Sequence, residues 1–116
     1  MQRDDCLFCK IIRGEIPSSK VYEDEYVYAF DDVSPQMPVH TLIVPKNHYD
    51  NIAAGIPVEE LGHLFAAVEK VADIKGVREQ GFRTLVNTGA HAGQTVFHLH
   101  VHVLGGAPMN SGDPSL

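Results

Sequence analysis

The spacing of apolar residues changes along the chain, and each change marks an element. Residues 6–13, CLFCKIIR, place Phe8, Ile11 and Ile12 at i, i+3 and i+4, which predicts a short helix. Gly14 ends it and Pro17 marks a turn. Residues 20–31 carry two β-rich runs, KVYE and YVYAFD, around the acidic turn Asp24–Glu25. Ser34-Pro35 and Met37-Pro38 break the chain before the next strand, HTLIV over 40–44, which Pro45 stops. From Pro57 to about Lys75 the period is helical, with Leu61, Leu64, Phe65, Val68, Val71 and Ala72 in one stripe. Pro57 suits the first turn of that helix. Phe82–Val86 reads as a strand, 87–94 (NTGAHAGQ) as a glycine-rich loop, and Val96–Leu104 as the last strand, ended by Gly105-Gly106. Strands that follow one another locally, rather than alternating with helices, predict an α+β fold with an antiparallel sheet.

Composition narrows the function classes. At 116 residues, with 44% hydrophobic and 21% charged, the chain fits one soluble domain, its core over about 6–106 and an irregular tail over 107–116. A formal net charge of −6 with scattered basic residues speaks against a nucleic-acid partner. Backbone amides can still hold one phosphate. The apolar runs are too short for a membrane span. The start, MQRDDC, does not read as a secretory signal, so the expected location is cytoplasmic.

Histidine is the unusual residue, with seven in the chain and three within residues 98–102, His-Leu-His-Val-His. In a strand, alternate side chains share a face roughly 6.5–7 Å apart. His98, His100 and His102 then line one face, and Phe97, Leu99, Val101 and Val103 fill the other. Such a face is solvated, binds a metal as His-x-His pairs do, or carries an imidazole nucleophile oriented by its neighbours. Gly93-Gln94-Thr95 just upstream predicts main-chain N–H groups forming an anion-binding concavity. A phosphate site beside three histidines favours the nucleophile.

The segment GQTVFHLHVHVLGG, residues 93–106, resembles the signature of the histidine-triad superfamily, His-φ-His-φ-His-φ-φ with φ apolar. CLFCKIIRGEIPSSKVYEDE, AFDDVSPQMPVHTLIVPKNH and LVNTGA are similar to the same family in the same order, so the resemblance spans nearly the whole chain. The ending VLGG resembles the Hint branch of nucleoside phosphoramidases and nucleotide-binding proteins. The resemblance implies a homodimer with a five-stranded antiparallel sheet, one long and one short helix. It implies hydrolysis of purine nucleoside 5′-phosphoramidates or related nucleotidyl conjugates, with dinucleoside polyphosphate hydrolysis or a non-catalytic nucleotide-binding scaffold as alternatives. A free apolar strand such as Val96–Leu104 would be an aggregation hazard unless paired, which also points to a dimer.

By the same resemblance His100 attacks the α-phosphorus and forms a nucleotidyl-histidine intermediate. His102 contacts the phosphate, and His98 and His40 form a relay that fixes the nucleophile's tautomer. Asp32 matches the acceptor for the ribose hydroxyls. Val33, Phe8, Ile11, Ile16 and Phe30 match the pocket around the base, and Asn87, Gly93, Gln94 and Thr95 the phosphate contacts. Each could instead serve the core, a turn or a strand end.

Cys6-x-x-Cys9 has the spacing of half a tetrahedral zinc site, although two thiols that merely pack give the same sequence. Family members with this pair bind zinc, and their other ligands match His48 and His98. Zinc in that role is structural, and the chemistry requires no cofactor. Two departures stand out: Thr95 where Ser is usual, and a tail without Trp, which bears on leaving-group preference.

Overall fold

The computed structural model describes residues 2–109, so most of the expected tail lies outside the described residues. The elements run α1 (Leu7–Ile12), β1 (Lys20–Glu23), β2 (Val27–Asp31), β3 (Val39–Pro45), α2 (Val58–Lys75), β4 (Phe82–Leu85), a 3-10 turn (Ala90–Ala92) and β5 (Val101–Gly105). The strands form one antiparallel sheet in the order β1-β2-β3-β5-β4. The α+β architecture is the one the sequence predicts.

The sheet is covered on both faces. On one, Val27, Ala29, Ile43, Leu99, Val101 and Val103 pack against Leu64, Ala67 and Val71 of α2. On the other, Tyr28, Phe30, Leu42 and Val44 pack against Phe8, Cys9 and Ile11 of α1 and against Cys6 just before it. Double coverage is why β2 reads as a continuous apolar run, Val-Tyr-Ala-Phe, rather than an alternation. Hydrophobic transfer at about 25 cal/mol per Å² makes the two buried faces the main source of stability.

Local signals set the helix ends. Cys6 caps α1, its sulfur accepting the main-chain N–H of Cys9 at 3.3 Å. Pro57 caps α2 rather than sitting in its first turn. Glu59 and Glu60 face the positive end of that helix dipole, and Gly76 closes it at φ +71°.

Three expectations need correction. Phe65 is exposed and Ala67 takes its place in the buried stripe of α2, because the face set by Leu64 and Val71, seven residues apart, passes through Ala67 at i+3 and not through Phe65. The last strand begins at Val101, not Val96. Upstream, Leu99 donates its N–H to Tyr49 O at 2.7 Å, which draws the chain away from the ladder. Phe97 is consequently 52% exposed, although Leu99, Val101 and Val103 do fill the α2 face. Finally, β5 is an interior strand between β3 and β4, so it offers no free edge. The sheet's outer strands are β1 and β4.

Candidate functional site

On the α1 side of the sheet lies a cavity of about 440 Å³. Its apolar end is lined by Phe8, Ile11, Ile16, Pro17, Phe30 and Leu42. Its polar end holds Asp32, His40, Asn87, Gly93, Thr95, His100 and His102. Register explains the pairing of two histidines there. His102 of β5 lies opposite Leu42 of β3, and His40 opposite Leu104, so the histidines are diagonal neighbours on one face. Their rings meet at 2.9 Å between His40 Nε2 and His102 Nδ1.

Hydrogen bonds set the tautomers of His40, His102 and His100. Gln36 donates its main-chain N–H to His40 Nδ1 at 3.0 Å, so that nitrogen carries the lone pair. Burial lowers the pKa of His40, with Asp32 opposing the shift, and the proton of the neutral ring is then on Nε2. That proton is donated to His102 Nδ1. His102, its pKa lowered to about 4 chiefly by burial, is likewise neutral and carries its own proton on Nε2. His102 Nε2 is the one buried side-chain N or O without a hydrogen-bond partner among the described residues. An unmet donor of this kind costs stability unless a ligand oxygen accepts it.

His100 is set the opposite way. Its Nδ1–H donates to His98 O at 2.7 Å, leaving Nε2 with a free lone pair. Burial holds its pKa below the ordinary histidine value, and Phe8 packs edge-on to its ring, centroids 5.2 Å apart. Of the two expected relay residues, His98 meets His100 through its main-chain carbonyl, and His40 bonds His102 instead. The His98 carbonyl holds the Nδ1 proton of His100, and the His98 ring turns away.

That ring joins a second cluster. Ligand atoms of Cys6, Cys9, His48 and His98 all lie within 4.8 Å of one another. Cys6 Sγ is 3.2 Å and Cys9 Sγ 3.5 Å from His98 Nδ1, and Cys9 Sγ is 3.5 Å from His48 Nδ1. A tetrahedron with zinc–ligand bonds of about 2.0–2.3 Å has edges of about 3.5 Å. Both imidazoles are anchored through Nε2–H, His98 to Pro45 O and His48 to Asp50 Oδ1, each at 2.8 Å. Each Nδ1 lone pair therefore faces the sulfurs, and the four residues fit a tetrahedral metal.

The glycine-rich loop departs from expectation. Gly89 and Gly93 take φ of +80° and +81°, which glycine alone adopts without strain. The N–H groups of Ala92 and Gln94 donate to Gly89 O, and that of Gly93 to Ala90 O, so these amides are spent inside the loop. The Gln94 side chain is buried in the loop and does not line the cavity. Thr95 does line it, with neither N–H nor hydroxyl bonded to another described residue. Of the sequence-predicted nucleotide residues, all but Gln94 line this one cavity. Val33 does so from a side chain that is 94% exposed. Leu7, Pro17, Ser34, Gln36, Leu42 and Val96 were missed. Leu7 could have been found at i, i+4 from Ile11; Gln36 acts through its main chain and leaves no side-chain signal.

An α+β sheet carrying three near-consecutive histidines, two of them in a nucleotide-sized cavity, defines the histidine-triad class of proteins. The chain belongs to the HIT family, whose domain model matches residues 13–109, and to its Hint-like branch. It is 49% identical over 109 residues to an uncharacterized HIT-like protein of Synechocystis, covering 92% of this chain and 95% of that one. It is 42% identical over 108 residues to a protein of Escherichia coli K12 named purine nucleoside phosphoramidase, covering 91% of each. The structure of a HIT family hydrolase from Clostridium thermocellum superposes with a TM-score of 0.90 at 46% identity, covering 96% of this chain and 98% of that one. The protein is a hydrolase of this family.

Proposed function

We propose that the protein hydrolyses purine nucleoside 5′-phosphoramidates or related nucleotidyl conjugates, releasing a nucleoside monophosphate. The observation that carries this reading is the opposed pair of tautomers: a bare nitrogen on His100 beside a bare N–H on His102. The base enters the apolar end and the α-phosphate meets His102 Nε2–H and the free N–H and hydroxyl of Thr95. His100 Nε2 attacks phosphorus and the P–N bond breaks, the leaving nitrogen taking a proton from solvent so that it departs as the amine. The imidazolium so formed keeps its Nδ1–H on the His98 carbonyl, whose dipole offsets the new charge. Water then attacks phosphorus, the P–Nε2 bond breaks, the proton lost by the water returns to solvent, and neutral His100 is freed. Purified protein should turn over adenosine 5′-phosphoramidate with a kcat/KM at least about tenfold above that for a diadenosine polyphosphate, a gap of roughly 1.4 kcal/mol in the barrier. The reverse order would shift the reading to polyphosphate hydrolysis. Binding without turnover of either would leave a nucleotide-binding scaffold.

Asp32 is assigned to the ribose. One carboxylate oxygen, Oδ1, accepts the Ser34 N–H at 2.8 Å, and Oδ2 lies 3.5 Å from His40 Nε2, at the cavity wall. Asp32→Asn should weaken ribonucleotide binding by about 1.5–3 kcal/mol more than 2′-deoxynucleotide binding. Calorimetry giving equal losses would remove Asp32 from the ribose site.

Zinc fits the cluster of Cys6, Cys9, His48 and His98 and would tie α1 to the chain entering β5. Its contribution there is structural. A cytoplasmic setting accords with this, since a reducing compartment keeps both free cysteines able to bind. Among the described residues no helix is long and apolar enough to cross a membrane. The protein is further assigned as a homodimer, on the unpaired edge of β4 and on the family resemblance. Light scattering at micromolar concentration should give twice the 12.7 kDa chain mass; a monomer mass would refute it.

A further inference from the structure

We propose that Gln94, which does not itself line the cavity, is the positioning residue of the phosphate end, and this rests on the nucleotide reading above. Its amide is fully used. Oε1 accepts the Gly89 N–H at 2.8 Å, and Nε2 donates to Asp50 O at 2.7 Å and to Val96 O at 3.1 Å. Its main-chain N–H closes on Gly89 O at 3.1 Å. The side chain is 5% exposed, so none of these bonds is made for solvent.

One primary amide thus clamps the loop at three places. It holds the two ends of the turn, Gly89 and Val96, and fastens both to Asp50, whose carboxylate holds His48. Thr95 lies between Gln94 and Val96, so its unbonded N–H and hydroxyl are aimed by the clamp on either side. With the amides of Ala92, Gly93 and Gln94 already spent, Thr95 is the residue next to the clamp that offers both an unbonded main-chain N–H and a hydroxyl to an anion in the cavity. None of Phe8, Ile11, Phe30 and Asp32 at the base and ribose ends bonds to the clamp, which holds Val96 by its carbonyl and not by the side chain packed on the α1 cluster. Gln94 therefore governs phosphate affinity and leaves nucleoside affinity alone. A residue that only supported the fold would affect both.

The chemistry of the clamp supplies a test. Gln94→Glu keeps shape and the Oε1 acceptor but turns an oxygen toward the carbonyls of Asp50 and Val96. Ionised, that oxygen repels both; protonated, it donates to one of them. Burial and the facing carbonyls raise such a carboxyl above its ordinary range. At pH 8 the variant should bind AMP about tenfold more weakly than the unaltered protein, the scale of one lost hydrogen bond, with adenosine affinity unchanged. At pH 5.5 the AMP deficit should shrink, each value being referred to the unaltered protein at the same pH so that titration of AMP and of His100 cancels. Equal losses for AMP and adenosine, or a deficit independent of pH, overturn the proposal. In the unaltered protein, AMP should shift the Thr95 amide resonance and leave those of Gly93 and Gln94 nearly in place. The opposite pattern overturns it with no variant at all. AMP failing to bind the unaltered protein overturns the nucleotide reading as well, whereas AMP binding without these discriminations removes only Gln94.

Discussion

Replacing His100 by alanine or glycine should lower phosphoramidate turnover on the order of 10³-fold or more and leave AMP affinity within a few-fold. In the proposed reaction the side chain supplies the covalent step, while the apolar end of the cavity, Asp32 and Thr95 supply the grip. Only the uncharged imidazole attacks, and its folded pKa lies below the ordinary 6.5 because it is buried against Phe8. The sign follows: in the unaltered enzyme kcat/KM is flat above pH 6.5 and falls as pH drops through the folded value. A base-side shoulder assigned to His100 would contradict the tautomer set by the His98 carbonyl. A variant keeping turnover within a few-fold of the unaltered enzyme would place the nucleophile elsewhere.

Protein made with zinc available should carry about one zinc per chain, with two sulfur and two nitrogen ligands by X-ray absorption. Chelation, or Cys9→Ser, should then destabilise the fold. With free zinc a thousandfold above its Kd the linked stabilisation is about 4 kcal/mol, a loss of roughly 10 °C or more in Tm for a chain of this size. Burial pushes the Cys9 thiol up, so the metal must displace a firmly held proton. Affinity should fall as pH drops and the thiols and imidazoles regain their protons. Phe8 and Ile11 sit on the helix that Cys6 and Cys9 tie down, so nucleotide affinity should weaken with the metal's removal. Elemental analysis finding no zinc would leave the cysteines as a helix cap and a packing pair.

The sequence announced the fold where period and punctuation agreed. The helix from Val58 to Lys75 has a sustained 3.6-residue pattern and a glycine terminator, and β3 is bounded by proline at its end. Its strand prediction failed between Val96 and His100, where the apolar-polar alternation is kept but the N–H of Leu99 bonds to Tyr49 O. Alternation reports which way side chains point; it does not report which partner the backbone finds. The histidines were legible as a group because their side chains are rare and closely spaced. Their division of labour was not, since it depends on the main-chain groups of Gln36, His98 and Pro45, which any residue type would carry. Gln94 was misplaced for a related reason: a polar residue in a glycine-rich loop reads as a ligand contact until its amide is seen to be fully bonded within the protein.

The double duty of His98 sets a rule for anyone redesigning this molecule. Its ring faces the cysteines and its carbonyl orients His100, two loyalties within one residue. Stripping the metal site by changing Cys6 and Cys9 leaves the carbonyl where it is, subject only to a looser helix. Attempting the same by changing His98 removes the Nε2–H anchor to Pro45 O and frees the peptide that aims His100. The two centres can be separated from the cysteine side and not from the histidine side, so a metal-free catalyst must be sought by editing the helix and sparing the strand.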